Sequence, residues 1–73
     1  MKVVYRIGGT EDVPGRVITL FNADPPKEGA RVQLSVNGSP LGPMYYADTV
    51  THFVDTRDHS RSYVDVTLRE DES

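Results

Sequence analysis

Apolar and polar residues alternate along much of this chain with a period of two. Lys2-Val3-Val4-Tyr5-Arg6-Ile7 alternates loosely and stops at Gly8-Gly9. Arg16-Val17-Ile18-Thr19-Leu20-Phe21 is nearly continuously apolar, as a central strand would be. Arg31-Val32-Gln33-Leu34-Ser35-Val36 puts Val32, Leu34 and Val36 on one face. Ser62-Tyr63-Val64-Asp65-Val66-Thr67-Leu68 does the same with Val64, Val66 and Leu68. Successive side chains of a strand leave opposite faces, so these runs read as half-buried strands. Between them lie chain breakers: Pro14-Gly15, the Pro25-Pro26 pair before Gly29, and Asn37-Gly38, whose tolerance of positive φ suits a tight hairpin. Pro40 and Pro43 follow that hairpin signal. They lack a ladder donor, so the return is expected as an irregular or edge segment.

Residues 44–55 carry two patterns at once. Pro43 suits the first position of a helix, and Tyr46, Ala47, Val50, Phe53 and Val54 share one helical face. Thr49, Val50, Thr51, Phe53 and Val54 are also strand formers. The spacing favours one short helix near residues 44–54. The expected fold class is therefore α+β or all-β: a small antiparallel sheet of four to five strands, with that helix packed across it. Strands precede any helix, which argues against a parallel α/β fold.

Composition supports the strands. Of 73 residues, ten are Val, two Ile and six Thr, so a quarter of the chain is β-branched. A chain this short makes one domain, expected over residues 1–69, and has little interior in which to enclose an active site. The acidic run 70–73 is expected as a disordered tail. Residues 1–69 balance eight basic against eight acidic residues, so the net charge of −3 resides in Glu70, Asp71 and Glu72. No Lys/Arg cluster stands out, and no direct nucleic-acid binding is expected from that balance. There is no cysteine, which removes disulfides, thiolate metal ligation and thiol nucleophiles. Without disulfide staples, signal peptide or long apolar span, the expectation is a cytoplasmic protein with no membrane association, monomeric and without cofactor or metal.

Candidate chemistry is sparse. Asp55, Asp58, His59 and Ser60 lie within six residues, with His52 close by. Side by side in a loop, such residues suit turn capping better than catalysis, and their spacing matches no metal loop. Gly8-Gly9-Thr10 lacks the Lys-Ser/Thr ending of a phosphate loop. No catalytic residue is assigned. Six residues stand out instead as candidate protein-binding anchors. Asp12 and Val13 put an apolar tip beside acids in a loop. Tyr45 and Tyr46 are adjacent, so one ring must leave the core. Arg57 and Arg61 flank a polar loop and can form bidentate carboxylate contacts.

The size of the chain, its lack of cysteine and its closing Arg69-Glu70-Asp71-Glu72-Ser73 resemble the small host-takeover proteins of bacteriophages. The likeness is to the Xanthomonas-phage transcription regulators that bind bacterial RNA polymerase. That resemblance implies a non-enzymatic protein working in the cytoplasm of a bacterial host. It implies binding to the N-terminal region of the polymerase β′ subunit, inhibition of initiation by σ displacement, and antitermination. The alternatives carried beside it are a small β-barrel that binds single-stranded nucleic acid, a generic protein-interaction module, and a small enzyme around His52, Asp55, Asp58 and His59.

Overall fold

The computed structural model describes residues 1–8 and 15–71. Five strands form one curled sheet: β1 (Lys2–Ile7), β2 (Arg16–Leu20), β3 (Arg31–Val36), β4 (Ser39–Phe53) and β5 (Tyr63–Glu70). Their order across the sheet is β2-β1-β5-β4-β3. Among the described residues a 3-10 turn, His59–Arg61, precedes β5. The β-rich class expected from the β-branched runs is what forms. One pairing differs from an all-antiparallel sheet: β1 and β5 run parallel, Val3 beside Val64 through Ile7 beside Leu68.

The parallel pair sits in the centre of the sheet, with a strand on either side, and its core-facing residues are the most buried. Val3 and Tyr5 face the core, joined by Val64, Val66 and Leu68 from β5 and Ala47 from β4. Ile7, Ile18, Val32, Leu34, Tyr45 and Val50 pack around them. Val3, Val64, Val66 and Leu68 are essentially inaccessible to solvent, and each such burial stabilises by roughly 1.5–3 kcal/mol. The connection from β2 to β3 passes from one edge of the sheet to the other. Ala23 in it packs against the core, and its far end is stitched down where Gly29 N–H donates to Ala47 O (2.8 Å) and Ala47 N–H donates to Ala30 O (2.9 Å).

The helix expected near residues 44–54 is not there; residues 44–53 belong to β4, and Val54 follows its end. A bulge explains the misleading spacing. The register with β5 shifts between Ala47 and Thr49, so that Ala47 meets Leu68 while Val50 meets Val66. One extra residue, Asp48, puts Ala47 and Val50 on the same face three positions apart, which imitates a helical interval. Pro40 and Pro43 are also inside β4. They are tolerated because β5 pairs only with Tyr45–Phe53, so the stretch before Tyr45 has β3 alone as a neighbour and behaves as an edge.

Glu70 and Asp71, expected within a disordered run over 70–73, are held against the sheet. Glu70 is the last residue of β5, opposite Tyr45. The Asp71 N–H donates to Met44 O (2.9 Å), and its carboxylate pairs with Arg31. Glu70 belongs to the sheet and Asp71 is bonded to its neighbouring strands; Glu72 and Ser73 lie outside the described residues.

Candidate functional site

The sheet has one face turned to the core and one turned outward, and the outward face carries the chemistry. Its composition follows from the alternation that made the core. In β1, the positions between Val3, Tyr5 and Ile7 are Lys2, Val4 and Arg6. In β5, the positions between Val64, Val66 and Leu68 are Tyr63, Asp65, Thr67 and Arg69. Register sets these side by side: Lys2 with Tyr63, Val4 with Asp65, Arg6 with Thr67. On the next strand Phe53 meets Tyr63, Thr51 meets Asp65, Thr49 meets Thr67 and Tyr46 meets Arg69. Arg31 of β3 stands on the other side of Tyr46.

One end of this face is aromatic. The Phe53 and Tyr63 rings stack with centroids 4.8 Å apart, and the Lys2 ammonium lies 5.5 Å from the Tyr63 centroid, a cation–π distance. Beyond Lys2, Phe21 follows β2 and is 72% exposed. Asn22 turns the chain out of β2 there with a left-handed backbone (φ 55). A shallow groove of about 290 Å3 lies along this end, lined by Met1, Lys2, Phe21, Asn22, His59, Ser60 and Ser62.

Towards the other end lie guanidinium groups held from beneath. Arg6 Nε donates to Asp65 Oδ2 (2.7 Å), and Arg69 Nε donates to Asp48 Oδ2 (3.0 Å). Arg31 Nε stands 3.3 Å from Asp71 Oδ2. The three arginine side chains are 53%, 65% and 71% exposed, while their carboxylate partners are 17%, 33% and 19% exposed. The anions therefore sit low and the cations are displayed. The hydrogen bond and charge of Asp65 raise the Arg6 pKa further above its ordinary value, so its charge is permanent.

The loop that joins β4 to β5 uses its polar groups on itself. Asp55 Oδ1 accepts from the N–H of Arg57 (3.0 Å) and of Asp58 (2.9 Å), and Asp55 N–H donates to Ser62 Oγ (2.9 Å). Asp58 Oδ1 accepts from the Ser60 N–H and hydroxyl and caps the 3-10 turn. The N–H of Asp58, then that of Arg57, hold the Asp55 carboxyl below its ordinary pKa. The Asp-His-Ser run thus forms the capped turn that its residue types suggest. Among the described residues, no group of three or more His, Asp or Glu side chains is placed to hold a metal ion.

Of the six anchors read from the sequence, the four among the described residues do not form one patch. Asp12 and Val13 lie outside the described residues. Tyr45 turns to the core side and packs against it, with its hydroxyl over Gly42. Tyr46 is on the outward face between Arg31 and Arg69. Arg57 and Arg61 are exposed in the β4–β5 loop, and Arg61 pairs with Asp58 at 3.5 Å. That loop is separated from Tyr46 by the remainder of β4, about 25 Å of strand. Sequence reading passed over Lys2, Arg6, Phe21, Phe53, Tyr63 and Arg69. The signal in β1 and β5 was mixed: Lys2, Arg6, Tyr63 and Arg69 interleave with the apolar residues, but so do Val4, Asp65 and Thr67.

A second feature projects from the sheet. From Leu34 to Met44 the β3–β4 ribbon extends past the end of β5, with its turn at Asn37 (φ 51) and Gly38 (φ 83). Val36, Leu41 and Met44 are exposed along it. Val36, expected to face inward with Val32 and Leu34, does not reach the core. The β3–β4 register shifts between Gln33 and Ser35, and the ribbon has left the sheet by then.

No family model, curated protein or solved structure matches the chain. No helix among the described residues is long and apolar enough to cross a membrane.

Proposed function

We propose that this protein acts by occupying the surface of another protein, with the β3–β4 ribbon as its docking element. One observation carries the reading: the ribbon displays Val36, Leu41 and Met44 to solvent beyond the sheet that stabilises the rest of the chain. A two-stranded hairpin is marginally stable alone. A sequence that extends one past its own sheet with apolar side chains outward has a surface suited to burial against a partner. Tyr46 and the displayed arginines 31 and 69 adjoin its base and are residue types that anchor interfaces. Arg57 and Arg61 remain candidate peripheral contacts.

The partner proposed is bacterial RNA polymerase, through the N-terminal region of its β′ subunit, in the cytoplasm of a bacterial host. This rests on the resemblance of the chain to small phage regulators. Binding on that subunit would displace σ, inhibit initiation and permit read-through of terminators. No bond need be made or broken: a small rigid sheet shifts a large machine when it binds one of its states more tightly than another. An interface of roughly 800 Å2 per side would suffice.

The test is direct binding of the chain to purified polymerase and to an isolated β′ N-terminal fragment, alongside σ-dependent run-off transcription. Retention on both and loss of promoter-specific transcript support the reading. Val36→Asp with Leu41→Asp should abolish retention while the melting curve is unchanged. Failure of the unmodified chain to bind polymerase removes the named partner. Binding untouched by the ribbon variants removes the ribbon.

A further inference from the structure

The neutral charge balance of the sequence hides a segregation that only the folded sheet reveals. On the outward face the rings of Tyr63 and Phe53 and the Lys2 ammonium gather at one end, and Phe21, just past the end of β2, lines a groove together with Lys2. Arg6 and Arg69 stand further along the same face, on β1 and β5, each with Nε bound to a carboxylate below. Lys2 and Arg6 are four residues apart on one strand, so about 13 Å separates the aromatic end from the first guanidinium. From β2 to β4 the aromatic row spans three inter-strand steps, about 14 Å.

We propose that this face binds a single strand of nucleic acid, its bases stacked on the Phe21 and Phe53 rings and its phosphates on Arg6 and Arg69. The proposal is independent of which protein the ribbon engages.

Three observations favour this occupant. The first is charge: Arg6 and Arg69 are more exposed than Asp65 and Asp48, with which each forms a one-to-one ion pair, so a polyanion approaching the face meets the guanidinium side of each pair first. The second is the exposed ring surface. A ring 72% exposed and another 45% exposed, the latter stiffened by its stack on Tyr63, present flat apolar area that any unpaired base can cover. A duplex keeps its bases stacked on each other and cannot use those rings. The third is the filling between the two ends, where Thr49, Thr51 and Thr67 share the face. Their hydroxyls suit sugar and phosphate oxygens and add no repelling charge. The acidic total of the chain does not decide the matter at about 0.1 M salt, where charge is screened beyond about 10 Å and the strand would sense the local face.

The probes are fluorescein-labelled oligouridine and oligothymidine of about 12 nucleotides, a length within the range that small sheet platforms cover. Anisotropy should show micromolar binding at about 20 mM salt that weakens at least tenfold by about 200 mM. A duplex of equal length should bind at least fivefold more weakly. Phe21→Ala with Phe53→Ala should weaken oligouridine binding at least tenfold. Arg6→Gln with Arg69→Gln should weaken it at least fivefold and flatten the salt dependence. The arginine pair keeps the test decisive if loss of Phe53 unfolds the chain. No binding at about 20 mM salt, the condition most favourable to electrostatic contacts, overturns the proposal. So does binding unaffected by the variants that remain folded. Displacement by polyglutamate as effective as by oligouridine, insensitive to the phenylalanines, overturns it in favour of an acidic peptide.

Discussion

The Phe53 ring lies against that of Tyr63 across the β4–β5 ladder, their planes 17° from parallel. They are partners in register at the last rung of β4, and Lys2 completes the row from β1. Three strands are thus clamped at one end by side chains on the face away from the core. Phe53→Ala should destabilise the fold by about 1–2 kcal/mol, from a stacked pair worth roughly 0.5–1.5 kcal/mol plus partial loss of apolar burial. Urea unfolding followed by circular dichroism measures this. A midpoint equal to that of the unmodified chain would show that the stack contributes nothing.

Leu68 occupies the core side of β5, next to Ile7 on one strand and Ala47 on the other. It is 1% exposed and belongs to the short group of fully buried side chains. Leu68→Ala should cost about 2–5 kcal/mol through lost transfer energy and the cavity left behind. Net stability in a domain this small is only a few kcal/mol, so the variant should be largely unfolded at room temperature. A cooperative melt within a few degrees of the unmodified chain would contradict that account of the core.

Much of this architecture was legible from the alternation of residues. Lys2–Ile7 and Arg31–Val36 are strands with the limits the pattern suggested, and Val64, Val66 and Leu68 face inward as read. What escaped was β4. The bulge at Asp48 replaces the period of two with a step of three, whereas the edge character of the stretch holding Pro40 and Pro43 was legible from the prolines themselves. The outward face escaped for a related reason. Arg6 and Asp65 are 59 residues apart in the chain but hydrogen-bonded in the fold. Which charge stands above and which below is a property of side-chain length and register, and a count of charges sees only that they cancel. Among the anchors, the Tyr45-Tyr46 pair did divide between faces, because adjacent strand residues must.

The Asp55 carboxyl gives the β4–β5 loop a pH dependence on the acid side. Its pKa in the fold is below the ordinary value of 3.8, because the N–H groups of Asp58 and Arg57 favour the charged form. A depressed pKa contributes stability that is complete above the unfolded-state value and is lost as pH falls through the folded-state value. Stability should therefore decline as the pH is lowered below about 5, with Asp55 among the contributors. Asp55→Asn keeps an acceptor for both N–H groups but removes the titration, so the decline should become shallower. Melting temperatures from neutral pH to pH 3 for both chains decide it: parallel curves would assign the acid loss elsewhere.

Gly42 and Gly38 offer a comparison in which only one variable differs. Both have left-handed backbones, φ 78 and φ 83. A Cβ on Gly38 would meet open space, whereas a Cβ on Gly42 would stand 3.1 Å from the Tyr45 hydroxyl, closer than ordinary contact. Gly38→Ala should thus cost only the backbone penalty, about 1–2 kcal/mol. Gly42→Ala should cost that and a steric increment, as the ring is pushed from its place against the core. The increment resides in one oxygen atom, so Tyr45→Phe should recover part of it in the Gly42→Ala background and recover nothing in the Gly38→Ala background. A double-mutant cycle on unfolding free energies isolates the coupling. Equal costs for the two alanines, with no recovery from Tyr45→Phe, would mean that Tyr45 yields freely and that its packing over Gly42 does not hold the base of the ribbon.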